Sequence, residues 1–411
     1  MITVNEQRLW SRLMAMAEIG PGSAGGCNRQ ALTDEDKLGR DLFVQWCTDA
    51  GCSINVDSMG NVFAVRAGED NDLPAVMAGS HLDTQPTGGK FDGVYGVLAG
   101  LEVIESYNDN DIQTVHPLVV AAWTNEEGAR FSPAMIGSGV FAGVFDVKEA
   151  LAITDKEGCS IGAELARINY DGSEHCGDRE FHAAFEVHIE QGPILEKEGK
   201  QIGIVNGVQG MRWYDVTLEG EPVHAGPTPM DMRVDPMKAL PGIVNRLYSM
   251  VDSHGPLSRV TFGDISANPG ARNTVPEVVT LAVDLRHPDQ AVLDIMDAGL
   301  RDIVEQEIEK SGLKGRVRDE WNSPAVVFDK TCVEAVGESV SERGYSSLDM
   351  VSGAGHDSVY ISRIAPTAMI FIPCEGGISH NEAENINSED AAAGANVLLG
   401  AMLKRAQVVE G

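Results

Sequence analysis

Residues 116–127, HPLVVAAWTNEE, hold a continuous apolar run from Leu118 to Trp123 that stops at Thr124 and Asn125 and gives way to two adjacent glutamates. An unbroken apolar run of strand length, without polar alternation, is the pattern of a strand buried on both faces, as parallel-rich sheets provide. The segments before it repeat the theme. NVFAVRAG (61–68) reads as a strand, and LPAVMAGSHLDT (73–84) reads as another. The latter leads into a Gly-rich loop, PTGGKFDGVYG (86–96), and a helix over 94–107. Residues 5–19 and 34–50 read as helices, the second with a Thr33 cap, acidic residues in its first turn and a stop at Gly51. Strand, helix and strand in alternation predict an α/β domain with helices on both faces of its sheet.

The pattern changes near Gly210. MRWYDVTLEGEP (211–222) alternates like a half-exposed strand, and a helix follows over about 235–252. SRVTFGDISANPG and EVVTLAVDLRHP read as strands, 290–311 as a long helix ending at Gly312, and KGRVRDEWNSPAVVF as a further strand. Strand-helix-strand-strand-helix-strand predicts a small α+β sandwich with helices on one face. The α/β pattern then returns through APTAMIFIPC (365–374) to a last helix over 389–407. The expected organisation is a larger domain in two parts, 1–210 and 328–411, with a smaller one, 211–327, inserted between them. A chain of 411 residues fits two domains better than one.

The formal net charge of -31 argues against nucleic acid or an anionic membrane surface as partner. Seven cysteines, an odd count without a C-x-x-C pair, fit free thiols in a reducing compartment. The first twenty residues lack the positive-then-apolar layout of a signal peptide, and no apolar run is long enough to span a membrane. A soluble, cytoplasmic protein is expected.

The chemistry-bearing residues stand at strand ends. His81 and Asp83 are two apart at the end of an apolar strand, so in extended geometry they share a side, and the carboxylate could accept the imidazole's second N–H. A surface turn is the plain alternative. Asp92 lies among glycines, as a ligand or a loop-solvating residue. Glu126 and Glu127 stand where the carboxyl edge of an α/β sheet binds ligands. In an extended segment they would face different sides, one free to bind a metal and the other to serve as general base beside it. His188 lies in FEVHIEQGPILE (185–196), with Glu186 and Glu190 expected on its side. His380 lies in the polar loop GGISHNEAENIN (376–387). Core and loop histidines are the plain alternatives for these two. Together, His81, Asp92, Glu127, His188 and His380 are too many donors for one closed tetrahedral zinc. With Asp92 bridging, they supply three protein donors to each of two metals. The absence of cysteine suits zinc, manganese, cobalt or nickel.

GSHLDT, GGKFDG, TNEEGARF, HIEQG, HAGPTPM, GARNTVPE, DLRHPD, GAGHD and ISHNEAE occur in this order from residue 79 to residue 384. In this the chain resembles the binuclear amidohydrolases of the ureido type: the N-carbamoyl-L-amino-acid hydrolases, β-ureidopropionases and allantoate amidohydrolases of the wider aminoacylase and carboxypeptidase metallopeptidase family. The resemblance implies a metallopeptidase-like catalytic domain with a central mixed sheet and an inserted lid that carries homodimerisation. It implies two divalent ions per subunit. His81 and His188 would hold one, Glu127 and His380 the other, with Asp92 between. Asp83 would orient His81, and Glu126 would be the general base and acid. His224 would stabilise an oxyanion, and Asn273 and Arg286 would grip a substrate carboxylate. Gln191 would contact the ureido end. Arg212, Gly353 and Gly355 are further substrate contacts, Arg212 being equally readable as a surface arginine. The implied reaction is hydrolysis of an N-carbamoyl-L-amino acid to the amino acid, ammonia and carbon dioxide, with allantoate or N-carbamoyl-β-alanine as alternative substrates. Dipeptidases of this family commonly carry an acidic residue where His188 stands, so the histidine departs from their pattern. A binding module that has lost its metals is disfavoured because every implied ligand and Glu126 are present.

Overall fold

The computed structural model describes residues 1–409. The chain divides into two compact units, Met1–Gly207 together with the chain from Val327 onward, and Val208–Val326. The inserted unit thus begins and ends slightly earlier than the expected 211–327. Its strands in chain order, after β1 (Ser53–Val56), β2 (Val62–Arg66), β3 (Ala75–His81), β4 (Leu118–Trp123), β5 (Phe181–Ile189) and β6 (Ile202–Val208), are β7 (Gly210–Glu219), β8 (Arg259–Asn268), β9 (Val278–His287) and β10 (Lys314–Ser323). The chain closes with β11 (Val326–Val327), β12 (Ser347–Ser352) and β13 (Thr367–Ile372).

The first unit is built on a mixed sheet ordered β1-β2-β4-β3-β5-β13-β6-β11, with β12 also paired to β6. β4, β3, β5 and β13 run parallel at its centre: His81 lies opposite Trp123, and Phe371 opposite His188. Every residue of β3, β4 and β13 is buried, which is why β4 reads as an unbroken apolar run and the others show no regular polar alternation. The Val94–Asp109 and Ser388–Ala406 helices pack on these strands and on each other. Both are rich in small residues, and Gly96 and Gly394 touch the strands so closely that a Cβ would fall 2.5 Å from the Val187 carbonyl oxygen or the Ile372 side chain respectively. The parallel strands therefore share one carboxyl edge, and the loops leaving β3, β4, β5 and β13 gather there.

The second unit is a four-stranded antiparallel sheet ordered β10-β7-β9-β8. β9 alternates, burying Val279, Leu281, Val283 and Leu285. Each such burial stabilises by about 1.5–3 kcal/mol. Two helices cover these residues. Pro236–Ser253 begins with Pro236 at its first position and Asp235 capping Met237, and Gln290–Ser311 ends on Gly312 in the left-handed region. The segment 314–328 proves to be two strands, because Pro324 interrupts it after Ser323. The sequence pattern also left short helices unassigned, among them Ile136–Phe141, Val147–Ala152 and Ile161–Ile168.

Candidate metal centre

Each strand end delivers its residue differently. His81 is the last residue of β3, and its Nδ1 lies 2.9 Å from the Asp83 carbonyl oxygen. His188, near the end of β5, has its Nδ1 2.9 Å from the Ile189 carbonyl oxygen. A carbonyl only accepts, so each Nδ1 carries the proton and donates it. Each Nε2 is thereby left to face inward. Here the expectation for Asp83 needs correction. Its carbonyl, not its carboxylate, holds His81; the carboxylate oxygen stays 4.0 Å from the ring nitrogen. That carboxylate instead accepts the backbone N–H groups of Glu126 and Glu127, 3.3 Å each.

The two glutamates are not in an extended segment. β4 ends at Trp123, and Asn125 takes φ 56°, turning the chain before Glu126. The turn is secured from behind. The Asn125 side-chain amide donates to the Phe131 carbonyl, and the buried Arg40 donates to Asp36, the Gly60 carbonyl and the Thr124 hydroxyl. Glu126 Oε2 comes to 3.4 Å from His81 Nε2, whereas Glu127 Oε2 comes to 3.5 Å from His380 Nε2. Gln85, which pattern reading missed, clamps Glu127 through its backbone N–H at 3.1 Å and its amide at 2.8 Å. A glutamine between a strand end and a Gly-rich loop gives no signal of this contact in the sequence.

Asp92 lies between the two groups. Its Oδ1 is 3.1 Å from His188 Nε2 and 3.8 Å from His81 Nε2, while its Oδ2 is 3.4 Å from His380 Nε2. The donors of His81, Asp92 and His188 thus form one close group, and those of Asp92, Glu127 and His380 another. Tetrahedral ligands about 2.0–2.2 Å from an ion lie roughly 3.3–3.6 Å apart, and these separations bracket that range. His188 Nε2, which accepts the Gly93 backbone N–H at 3.1 Å, also faces Asp92 Oδ1, so a nitrogen and an oxygen donor point toward one place. Burial opposes charge on His188, but the Asp92 hydrogen bond and charge outweigh it and lift its pKa to about 9. Burial pushes His81 down to about 4. Burial, reinforced by Asp357 and Glu127, holds Glu126 well above the usual carboxylate range. For Glu127, burial and Asp92 do the same. A pocket that crowds acids in this way, with nitrogen and oxygen donors only, fits divalent cations. The first group is wholly buried, whereas His380 is 53% exposed.

The other site residues are placed as follows. Glu190 does not face the histidines; it accepts the N–H groups of Ile194 and Leu195. Glu186 does lie close to His188, in a third buried group with His356, and accepts from Ser80 and Ser358. Gln191, at φ 56°, donates its amide to Asp92 Oδ2 at 3.0 Å and to Ser379 Oγ at 3.1 Å. Gly353 and Gly355 lie in the loop after β12. Within the second unit His224 and Asn273 are neighbours, since Ala225 N–H donates to the Asn273 carbonyl and His224 bridges to Thr274. Arg286 pairs with Asp284 at 2.7 Å. Arg212 is held by Asp294 and Asp297.

Residues 77–404 match the model of peptidase family M20/M25/M40. An N-carbamoyl-L-amino-acid amidohydrolase from Rhizobium meliloti is 51% identical over 99% of this chain and 98% of its own. An allantoate amidohydrolase from Bacillus subtilis is 33% identical over 95% of each chain. Among solved structures, an amidase of the hydantoinase/carbamoylase family from Burkholderia multivorans superposes with a TM-score of 0.95 at 52% identity, covering 98% of both chains. The buried histidines and the shared aspartate therefore sit in a chain that belongs to peptidase family M20/M25/M40.

Proposed function

We propose that the protein hydrolyses the ureido group of N-carbamoyl-L-amino acids. The observation that carries the reading is the pair of donor groups sharing Asp92, with the Glu126 carboxylate 3.4 Å from His81 Nε2. The likeness to the Rhizobium meliloti enzyme directs the choice of substrate. His81, Asp92 and His188 would hold one divalent ion and Asp92, Glu127 and His380 a second, each zinc, manganese, cobalt or nickel. Ions held there supply Lewis-acid polarisation of a carbonyl and acidify a water molecule.

Glu126 acts on the proton. Its carboxylate takes a proton from the attacking water as the water oxygen bonds to the ureido carbon. It then gives that proton to the amino acid's nitrogen as the C–N bond breaks. The products are the free amino acid and carbamate, which decomposes to ammonia and carbon dioxide. Asp83 serves this step by fixing the backbone of both glutamates, and Gln85 keeps Glu127 from swinging toward Glu126. We assign the oxyanion to His224 and Asn273, and the substrate carboxylate to Arg286, whose guanidinium matches a carboxylate with two parallel hydrogen bonds. The assembly we assign is a homodimer, in the cytoplasm.

The test is ammonia release after reconstitution with each metal, from N-carbamoyl-L- and D-amino acids, N-carbamoyl-β-alanine, allantoate and a dipeptide. The L-carbamoyl compounds are expected to turn over fastest. Preference for allantoate would support the second reading, which the Bacillus subtilis relative favours. Glu126→Gln is expected to retain metal and lose at least about 100-fold in kcat, the usual scale of a general base. Near-normal turnover in that variant would sink the proton-transfer role.

A further inference from the structure

Glu384 is 3% exposed, yet it is absent from every donor group described above. Its carboxylate reaches from the His380 loop into the Asp92 loop. Oε1 accepts the backbone N–H groups of Phe91 and Asp92 at 3.1 Å each. Oε2 accepts the Ser379 hydroxyl at 2.9 Å, and the same hydroxyl lies 3.3 Å from Asp92 Oδ2. Those two amides stand just ahead of the Val94–Asp109 helix and have no helical acceptor of their own. The fit leaves no slack. A Cβ at Gly89 would fall 1.9–2.0 Å from the Glu384 carboxylate, so only glycine lets the loop close over it. The His380 loop is also folded on itself, with Glu384 N–H donating to the Asn381 carbonyl and Ala383 N–H to the Asn381 side chain.

The contacts join two residues that the sequence holds 288 positions apart, Asp92 and His380. Three hydrogen bonds fill both carboxylate oxygens, which leaves Glu384 in a poor position to bind an ion itself. His380 is also the most exposed donor in either group, so its place depends on how its loop is anchored. His81 and His188, by contrast, are each fixed by a backbone carbonyl within two residues along the chain, those of Asp83 and Ile189, and need no such strut.

We propose that Glu384 is a positioning residue that sets the reach between Asp92 and His380, and thereby the affinity of the Asp92–Glu127–His380 group for its cation. This rests on the metal-centre reading above and assigns a determinant within it. Calorimetric titration of the metal-free full-length protein with Mn2+ tests it, with cobalt absorption as a second readout. Wild type is expected to bind two ions. Glu384→Ala is expected to weaken the looser binding step by about 10- to 100-fold, the usual cost of losing a residue that orients a ligand. The tighter step should stay within a few-fold. Glu384→Gln keeps an oxygen for the two amides and should recover most of the loss. If the alanine variant does not fold, Ser379→Ala takes its place, expected to weaken the same step several-fold.

Two unchanged binding steps in the alanine variant, or in Ser379→Ala where that stands in, overturn the assignment to Glu384 and leave the metal centre standing. Equal weakening of both steps also overturns it, since the strut would then have no preference for one group. A wild-type protein that binds no Mn2+ overturns the metal-centre reading and this inference with it.

Discussion

Gly93 shows how little freedom the site allows at a single residue. It stands between Asp92 and the Val94–Asp109 helix with φ +68°, a conformation that costs an L side chain. A Cβ there would also fall 2.3–2.4 Å from three atoms of the His81 ring, Nε2 among them. The ring cannot retreat, because its Nδ1 is tied to the Asp83 carbonyl. Gly93→Ala is therefore expected to do two separate things. The backbone strain should cost about 1 kcal/mol of stability. The clash should displace Nε2 and weaken cation binding at the His81–Asp92–His188 group by at least about 10-fold. Thermal melts and metal titration separate the two. A variant that melts lower but binds cations normally would show that the ring can move, and the rigid-donor account would fail. The adjacent glutamates make the same point from the other side. They reach different histidines, Glu126 toward His81 and Glu127 toward His380, after the left-handed Asn125 swings the chain out of β4.

Elements were legible in the sequence where one physical signal dominated. β4 is an unbroken apolar run, and β13 shows no regular polar alternation, because both faces are covered and burial leaves no room for it. β9 alternates because helices cover one face only. The candidate donors could be found because strand ends place them on a shared edge and their types are chemically restrictive. Gln85 and Glu384 escaped because their partners are backbone groups and side chains far along the chain, and a contact of that kind leaves no periodicity. The left-handed turn at Asn125 escaped as well, since the segment before it reads as simple strand. The Ile161–Ile168 helix escaped for a third reason: it is only eight residues long and relies on tertiary anchors. Glu164 is its main anchor, bridged by Arg130 at 2.8 Å and Arg167 at 3.0 Å. The Arg167 hydrogen bond, with help from Arg130, holds the Glu164 carboxyl below its ordinary value of 4.5. A depressed carboxylate pKa means that the unfolded chain takes up the proton first. Its stabilisation is present above pH 4.5 and is lost as pH falls through the lower folded value. Glu164→Gln is expected to melt lower at neutral pH, and its melting temperature should then fall less steeply than wild type toward about pH 3. Parallel curves would show that the bridge adds no acid sensitivity.

At the scale of the whole molecule, the second unit raises the question of its two sheet edges. An open strand edge invites pairing with another chain unless it is charged, bent or covered. The strand order β10-β7-β9-β8 leaves β10 and β8 as those edges. They are protected unequally. β10 carries Lys314, Arg316, Arg318, Asp319 and Glu320 along its ten residues, whereas β8 carries only Arg259 and Asp264 in the same length. β8 is exposed along most of its length and presents Ile265 at 53% exposure. One edge is thus dense in charge, and the other carries few charges and remains pairable. Two copies of β8 laid antiparallel about a two-fold axis would satisfy both edges at once, since such a contact is self-complementary. The protein is accordingly expected to be a homodimer joined at β8. Light scattering coupled to size exclusion should give twice the chain mass at micromolar concentration. Ile265→Lys places a charge on that edge and is expected to shift the population toward monomer. A charge reversal on β10, such as Arg316→Glu, should leave it dimeric. A monomeric wild type would overturn the expectation outright. Dissociation by the β10 change, with none by Ile265→Lys, would place the interface at the wrong edge.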